Sequence, residues 1–183
     1  MKLVSGINGF GRIGRLTLRN ILKRSNLKVV AINDLFPAEY LAYLLKYDSS
    51  HGKLNADIGY EENNLIVNGE KIRITSERDP VNINWKEVGA EYIIEASGVF
   101  LTSDLAKKHL GAGAKKVVLS APAKDDTPTF VMGVNHLDYQ KNYDIVSNAS
   151  CTTNCLAPVV KVLHESFGIE VGYMTTIHSY TGD

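Results

Sequence analysis

Two stretches of this chain carry residue types and spacings that could do chemistry. The first is Ser147-Asn148-Ala149-Ser150-Cys151-Thr152-Thr153-Asn154-Cys155, which follows a short apolar run at Asp144 to Val146 and opens a helical pattern to about Phe167. Cys151 then falls near a helix N-terminus, where unpaired amide N–H groups and the macrodipole favour an anion. A thiolate is an anion, so this sulfur is a candidate nucleophile, most effective beside a histidine base. His178 follows in Thr175-Thr176-Ile177-His178-Ser179-Tyr180. Free cysteines are also common as small buried hydrophobes, and histidines as structural residues, so pattern alone leaves both readings open.

The second stretch is Gly9-Phe10-Gly11-Arg12-Ile13-Gly14, placed directly after the apolar run Leu3 to Asn8 and before a helical pattern to about Lys23. In this strand–turn–helix setting Gly9 permits the tight turn, Gly11 lets a pyrophosphate approach the backbone, and Gly14 lets helix and strand pack closely. Glycines also serve plain turns, so the motif needs its context. That context is Lys28 to Asn33, a β-branched run suited to a buried parallel strand, with Asp34 at its end. A carboxylate there can accept hydrogen bonds from the ribose hydroxyls of a dinucleotide and would repel a 2′-phosphate, which argues for NAD over NADP. A helix cap or turn is the other reading of Asp34.

The remaining elements must position these two stretches. Pro37 to Tyr47 reads as a helix with apolar Leu41, Leu44 and Leu45, ending in the polar loop Tyr47 to Gly52. Leu65 to Val67 and Lys71 to Thr75 flank Asn68-Gly69, a hairpin signal and a small antiparallel insertion. Arg78 lies in the loop Ser76 to Pro80, as a surface charge or a contact to adenine or its ribose. Strands are expected at Glu91 to Ala96, Lys116 to Leu119, Thr129 to Val134 and Asp144 to Val146, with a short helix from Thr102 or Ser103 to Leu110. The small residues Ser97-Gly98 and Ser120-Ala121 stand at strand ends and leave room for a ligand. Alternating strands and helices joined by short loops indicate an α/β fold, a doubly wound, Rossmann-type, mostly parallel sheet with ligand across its carboxyl edge. Pro158 should kink the helix after Cys151, and Glu170 to Tyr180 reads as the first strand of a new sheet.

Composition narrows the function classes. Among 183 residues, Lys+Arg and Asp+Glu both number 20, so no basic face argues for nucleic acid. Apolar runs are too short for a membrane span, and two cysteines with no secretory leader point to a reducing, cytoplasmic setting. No metal is expected, because Cys151, Cys155 and His178 are too few ligands for a zinc site and C-x3-C is not a common zinc spacing. Cys155 is expected to be a packed structural cysteine, with a resolving thiol as the other reading. His109 and His164 are expected at the surface or core edge, and His51 and His136 in loops without catalytic duty.

Taken together, Gly6-Ile7-Asn8-Gly9-Phe10-Gly11-Arg12-Ile13-Gly14-Arg15, Ile32-Asn33-Asp34-Leu35, Tyr47-Asp48-Ser49-Ser50-His51-Gly52, Arg78-Asp79-Pro80, Ser120-Ala121-Pro122, the Ser147 to Pro158 stretch and His178-Ser179-Tyr180-Thr181 resemble the glyceraldehyde-3-phosphate dehydrogenase family in order along the chain. The resemblance implies that Cys151 attacks a substrate aldehyde and that His178 is the base. It implies that Ser150, Cys151 and Thr152 serve substrate and oxyanion, and that Thr181 meets a phosphate. It further implies that Arg12, Ile13, Asp34, Arg78 and Ser120 contact NAD. In the family a hemithioacetal forms, hydride passes to the nicotinamide, and inorganic phosphate cleaves the resulting thioester.

The implied division is a nucleotide domain over 1–150 and the start of an α+β catalytic domain over 151–183. The implied partners are glyceraldehyde 3-phosphate, inorganic phosphate and further copies of the full-length chain as a tetramer. Family subunits are considerably longer, so this length is expected to be poorly active alone and to expose apolar faces. The sister enzyme erythrose-4-phosphate dehydrogenase and a non-catalytic NAD-binding module are the alternative readings.

Overall fold

The computed structural model describes residues 2–179. Thr181 therefore lies outside the described residues. The elements in chain order are β1 (Leu3–Asn8), α1 (Arg12–Ile21), β2 (Leu27–Asn33), α2 (Ala38–Lys46), β3 (Ile58–Glu61), β4 (Asn64–Val67), β5 (Glu70–Thr75), β6 (Tyr92–Glu95), α3 (Ser103–Gly111), β7 (Lys116–Leu119), β8 (Ile145–Ser147) and α4 (Cys151–Phe167). The strands form one sheet in the order β3-β4-β5-β2-β1-β6-β7-β8. From β5 to β8 every neighbouring pair is parallel, and β3–β4 and β4–β5 are antiparallel. The chain winds outward from β1 in one direction through β2 and β5, then in the other through β6, β7 and β8. The reversal between β1 and β6 is the switch point at which doubly wound sheets bind ligands.

Each sheet face is covered, as a parallel sheet requires. Consecutive residues of β2 divide between two apolar clusters: Ile32 packs with Ile7, Leu18, Leu41 and Leu45, and Ala31 packs with Trp85, Ile93, Ala106 and Val117. Alternation along a strand puts these clusters on opposite faces. Helices α1 and α2 cover the first face, and α3 with the Trp85 segment covers the second.

The close packing of α1 onto β1 depends on two glycines. Gly9 has φ +88°, and a Cβ there would sit 2.5 Å from the Ser97 amide nitrogen. A Cβ on Gly14 would overlap the Gly9 carbonyl oxygen. Both obstacles are backbone, so neither can rotate away.

Two expected strands are not present. Around Thr129 to Val134 only Thr129 bridges to Ser147. Asn135 explains the difference: its side-chain oxygen accepts from Val131 N–H at 2.8 Å, and the amides of Val134 and Asn135 turn back to the Val131 carbonyl. The Phe130 amide still donates to the Ser147 carbonyl, but after it the segment turns back on itself and the ladder stops. Within Glu170 to Tyr180, residues 170–179 form no strand and are exposed. A strand needs a partner for its backbone groups, and none among the described residues lies beside this segment. The sheet also gains β3, whose pattern the sequence does not advertise. The Asn68-Gly69 turn is as expected, with φ +52° and +80° at its two positions.

Helix α4 continues through Pro158 as a single helix, and none of its residues is buried. Val159, Val162 and Phe167 are exposed along it. Cys155 is exposed too, against the expectation of a packed cysteine, because nothing among the described residues covers this helix face. His109 departs in the opposite sense. It is fully buried rather than at the core edge, because both ring nitrogens are hydrogen-bonded inside the core.

The loop after α2 is closed by Asp48, whose Oδ1 accepts from the amides of His51 at 2.7 Å and Ser50 at 2.9 Å. Chiefly through the His51 amide, its carboxyl is held down at about 2 from an ordinary 3.8. A carboxylate lowered on folding stabilises the fold above its ordinary value, and that stabilisation disappears as pH falls through about 2. Asp48→Asn should therefore lower the unfolding temperature at neutral pH, with the gap from the unsubstituted chain closing between pH 4 and pH 2 in a thermal-melt series. Gly14→Ala should cost about 2–3 kcal/mol in denaturant unfolding, because the methyl group meets backbone that must shift.

Candidate functional site

Beyond the carboxyl ends of β5, β2, β1, β6 and β7 lies a cleft of about 800 Å³. Its walls come from the segment that follows each strand: Gly9 to Ile13, Asp34 to Phe36, Glu77 and Arg78, Ser97 to Phe100, and Ser120. Of the residues expected to hold a dinucleotide, Gly9, Gly11, Arg12, Ile13, Asp34, Arg78 and Ser120 all line this one cleft. Gly14 does not line it and acts from beneath, through the packing of α1.

Gly11 tests whether the cleft fits a dinucleotide. Gly9 and Gly14 are required by the protein's own packing, but a Cβ on Gly11 would meet no protein atom within 4 Å. Its backbone is extended, at φ −67° and ψ −159°, so the fold does not demand glycine there. What a side chain at 11 would occupy is the open cleft at the start of α1. That is where a helix N-terminus offers free amides to a phosphate. Asp34 is held beside the glycine turn. Its Oδ2 accepts from the Phe10 amide at 2.6 Å and its Oδ1 from the Phe36 amide at 3.1 Å. Each oxygen keeps lone-pair capacity for a hydroxyl donor. Arg78 is exposed on the cleft wall.

A second cleft, about 560 Å³, lies on the other side of Arg12 and is lined by Arg15, Tyr43, Tyr47, Asp48 and His51 among others. It contains none of the remaining candidate site residues.

Cys151 stands past the end of β8, the strand beside β7, on the same edge of the sheet as the cleft. The Asn148 amide donates to the Leu119 carbonyl at 2.9 Å, which ties the turn before Cys151 to the strand end that carries Ser120. The turn is sharp. Ala149 has φ +59° and is buried, a left-handed conformation that costs a non-glycine residue roughly 1–2 kcal/mol. Ser150 then caps α4, its Oγ accepting from the Thr153 amide at 2.9 Å, and Cys151 takes the first helical position. Asn154 braces the turn by donating to the carbonyls of Asn148 and Ser150.

His178 comes to this helix start, but not onto the thiol. Its Nε2 lies 3.0 Å from Thr152 Oγ1, and no hydrogen bond joins it to Cys151 among the described residues. Ser150, Cys151, Thr152 and His178 thus share one helix tip, with Cys151 exposed and unpaired.

Four buried residues that sequence pattern did not single out form the floor: Asn8 and Asn33, which line the cleft, and Glu95 and His109, which are hydrogen-bonded behind Asn8. The available signal was a polar residue closing each apolar strand, Asn8 in β1, Asn33 in β2 and Glu95 in β6. No His/Cys/Asp/Glu cluster able to hold a metal occurs among the described residues, and no described helix is long and apolar enough to cross a membrane.

Comparison with known proteins gives this geometry a family. The family model described as glyceraldehyde 3-phosphate dehydrogenase, NAD binding domain, matches residues 3–103, and the C-terminal domain model of the same family matches residues 150–183. The glyceraldehyde-3-phosphate dehydrogenase of Salmonella typhimurium is 58% identical over 181 residues, covering 99% of this chain and 54% of the relative. Glyceraldehyde-3-phosphate dehydrogenase A of Escherichia coli strain K12 is 56% identical over the same length and coverage. The Klebsiella pneumoniae protein is 58% identical over 175 residues, covering 96% of this chain and 57% of the relative. The chain spans about half the length of the curated relatives it matches. With a cleft at the switch point of its sheet, the NAD-binding domain matched across that sheet's first strands and relatives at 56–58% identity, this chain belongs to the glyceraldehyde 3-phosphate dehydrogenase family.

Proposed function

We propose that this chain carries the NAD cradle and the nucleophile of an aldehyde dehydrogenase acting on glyceraldehyde 3-phosphate with inorganic phosphate as the second substrate. The observation that carries the reading is the single cleft that gathers Gly11, Arg12, Asp34, Arg78 and Ser120, with Cys151 on the same sheet edge. Residues 1–150 form the nucleotide domain, and residues 151–183 begin the catalytic one. The full absence of buried residues in α4 supports that division, since a helix of this length normally packs on its own domain. The reading extends to a cytoplasmic homotetramer for the full-length protein, which membership of the family supports.

The chemistry assigned to the chain's own residues is nucleophilic. The sulfur of Cys151 forms a bond to the aldehyde carbon, and the carbonyl oxygen takes the electron pair and a proton. The amides at the start of α4 point toward developing negative charge, and Thr152 Oγ1 adds a donor on the same tip. His178 accepts the thiol proton and later the hydroxyl proton. Its hydrogen bond to Thr152, the neighbour of Cys151, supports that role. NAD, when bound, supplies the acceptor for one hydride. Gly11 leaves room for its pyrophosphate, Arg12 meets that charge at the start of α1, and Asp34 accepts from the adenosine ribose. Thr181, beyond the described residues, is assigned to a phosphate group.

Thiol reactivity separates an assembled nucleophile from an inert module. Cys151 and Cys155 are both exposed, so accessibility alone does not favour one. Iodoacetamide at neutral pH should modify Cys151 several-fold faster than Cys155, as read by peptide mass spectrometry, and His178→Asn should slow the Cys151 rate alone. Equal slow labelling of both would leave only an NAD-binding module. In a separate titration, Asp34→Asn should weaken NAD binding roughly 10-fold or more, the loss expected for a charge-assisted hydrogen-bond pair, while narrowing the gap between NAD and NADP.

A further inference from the structure

Glu95 and His109 are buried, titratable and used by none of the chemistry above. Both are 0% exposed. Two chains of hydrogen bonds meet at the Glu95 carboxylate. From one side Trp85 Nε1 donates to His109 Nδ1 at 3.0 Å, and His109 Nε2 lies 2.8 Å from Glu95 Oε2. An indole N–H can only donate, so Nδ1 is the acceptor and Nε2 carries the ring proton toward Glu95.

The other chain is anchored equally firmly. Asn33 Oδ1 accepts from the Glu77 amide at 2.8 Å, and Asn33 Nδ2 donates to the Glu77 carbonyl at 2.8 Å. Backbone groups cannot exchange roles, so the Asn33 amide has one orientation. Its Nδ2 therefore donates to Asn8 Oδ1 at 2.7 Å, and Asn8 Nδ2 donates to Glu95 Oε2 at 2.6 Å. Ser97 completes the set, its amide and hydroxyl donating to Glu95 Oε1 at 2.7 and 2.5 Å.

Four donor groups converge on the two Glu95 oxygens: Asn8 Nδ2 and His109 Nε2 on Oε2, and the amide and hydroxyl of Ser97 on Oε1. The residues Glu95 holds are not scattered. Asn8 closes β1, Asn33 closes β2, Glu95 closes β6, and Thr75, whose Oγ1 also donates to Asn33, closes β5. Asn8, Asn33, Glu77 and Ser97 line the cleft itself. The network thus couples the ends of four adjacent parallel strands across the switch point.

We propose that Glu95 is a positioning residue for the cofactor. Its two oxygens, accepting from Asn8 on one side and Ser97 on the other, hold the spacing of the strand ends that carry the glycine turn, Arg78 and the Ser97-Gly98 wall. Through His109 it links the cleft to Trp85, the single tryptophan of the chain, on the opposite side of the network from the cofactor. The inference rests on reading the cleft as the NAD site. A glutamine at 95 cannot replace the carboxylate. With its nitrogen on one side it faces the Asn8 amide donor, and with its nitrogen on the other it faces the Ser97 backbone N–H. Either conflict falls on the cleft.

The test is calorimetric NAD titration of the 183-residue chain together with Trp85 emission in the absence of NAD. Glu95→Gln should weaken NAD binding at least 10-fold and shift the emission of Trp85. His109→Leu, which removes a donor without opposing one, should weaken binding about threefold and also shift the emission. Leu65→Ala, a buried cavity variant near the far edge of the sheet, should lower the melting temperature while leaving NAD affinity and Trp85 emission unchanged. If Glu95→Gln does not fold, the His109→Leu pair of readouts decides. NAD affinity that falls only in step with melting temperature across all three variants, or that stays unchanged in the glutamate and histidine variants, overturns the positioning role. Failure of the unsubstituted chain to bind NAD overturns the cleft reading and this inference with it.

Discussion

The contact on which the site depends is the close approach of α1 to the end of β1, with Gly14 over the Gly9 carbonyl and Gly9 against the Ser97 amide. Backbone meets backbone at both points, and no side chain lies between. Only because that approach is possible does the start of α1 open directly onto the cleft, with Gly11 and Arg12 on its wall. A helix set back by one methyl group would carry its free amides away from any phosphate bound at the switch point. The same turn also aligns Phe10 N–H with Asp34, so the glycine loop and the acidic wall are joined by a hydrogen bond rather than merely adjacent.

The two halves of the sheet have different duties. Strands β1, β2 and β5, with the antiparallel β3 and β4 beyond them, build the wall that carries Asp34 and Arg78. Strands β6, β7 and β8 build the other side and deliver Cys151 through a strained turn. That strain sits at Ala149, where a left-handed residue lets the chain reverse within a few positions and present Cys151 at the tip of a capped helix. Strain of this kind persists only where surroundings enforce it. Here they are the Ser147 hydroxyl on the Ala149 amide, the Asn154 brace and the Leu119 tie.

Charge is arranged in layers beneath this edge. The exposed ionic pairs of the surface, such as Lys107 with Asp104, are solvated and contribute little. The buried carboxylate of Glu95 is different in kind. A carboxyl group removed from water must find hydrogen-bond partners inside the protein, and Trp85 and the Glu77 backbone fix the directions in which those partners point. Rigidity of the cleft floor is a consequence of solving that problem.

Much of this was legible in local pattern. The glycine spacing after an apolar strand, Asp34 at the end of the next strand, Asn68-Gly69 in its turn and Ser150 before Cys151 are all decided by neighbours within a few residues, where backbone sterics and capping act. They fixed the α/β class, the glycine turn and the helix tip. Tertiary structure alone decided what depends on groups distant in the chain. Val131 lost its strand to an asparagine side chain, and residues 170–179 formed none because no partner strand among the described residues receives their amides. His109 was drawn to the centre of the core by Trp85 and Glu95, and His178 was set on Thr152 rather than on Cys151. Hydrogen-bond partners and burial are properties of the assembled sheet. A sequence shows which groups need a partner, and only the fold determines which partner each one finds.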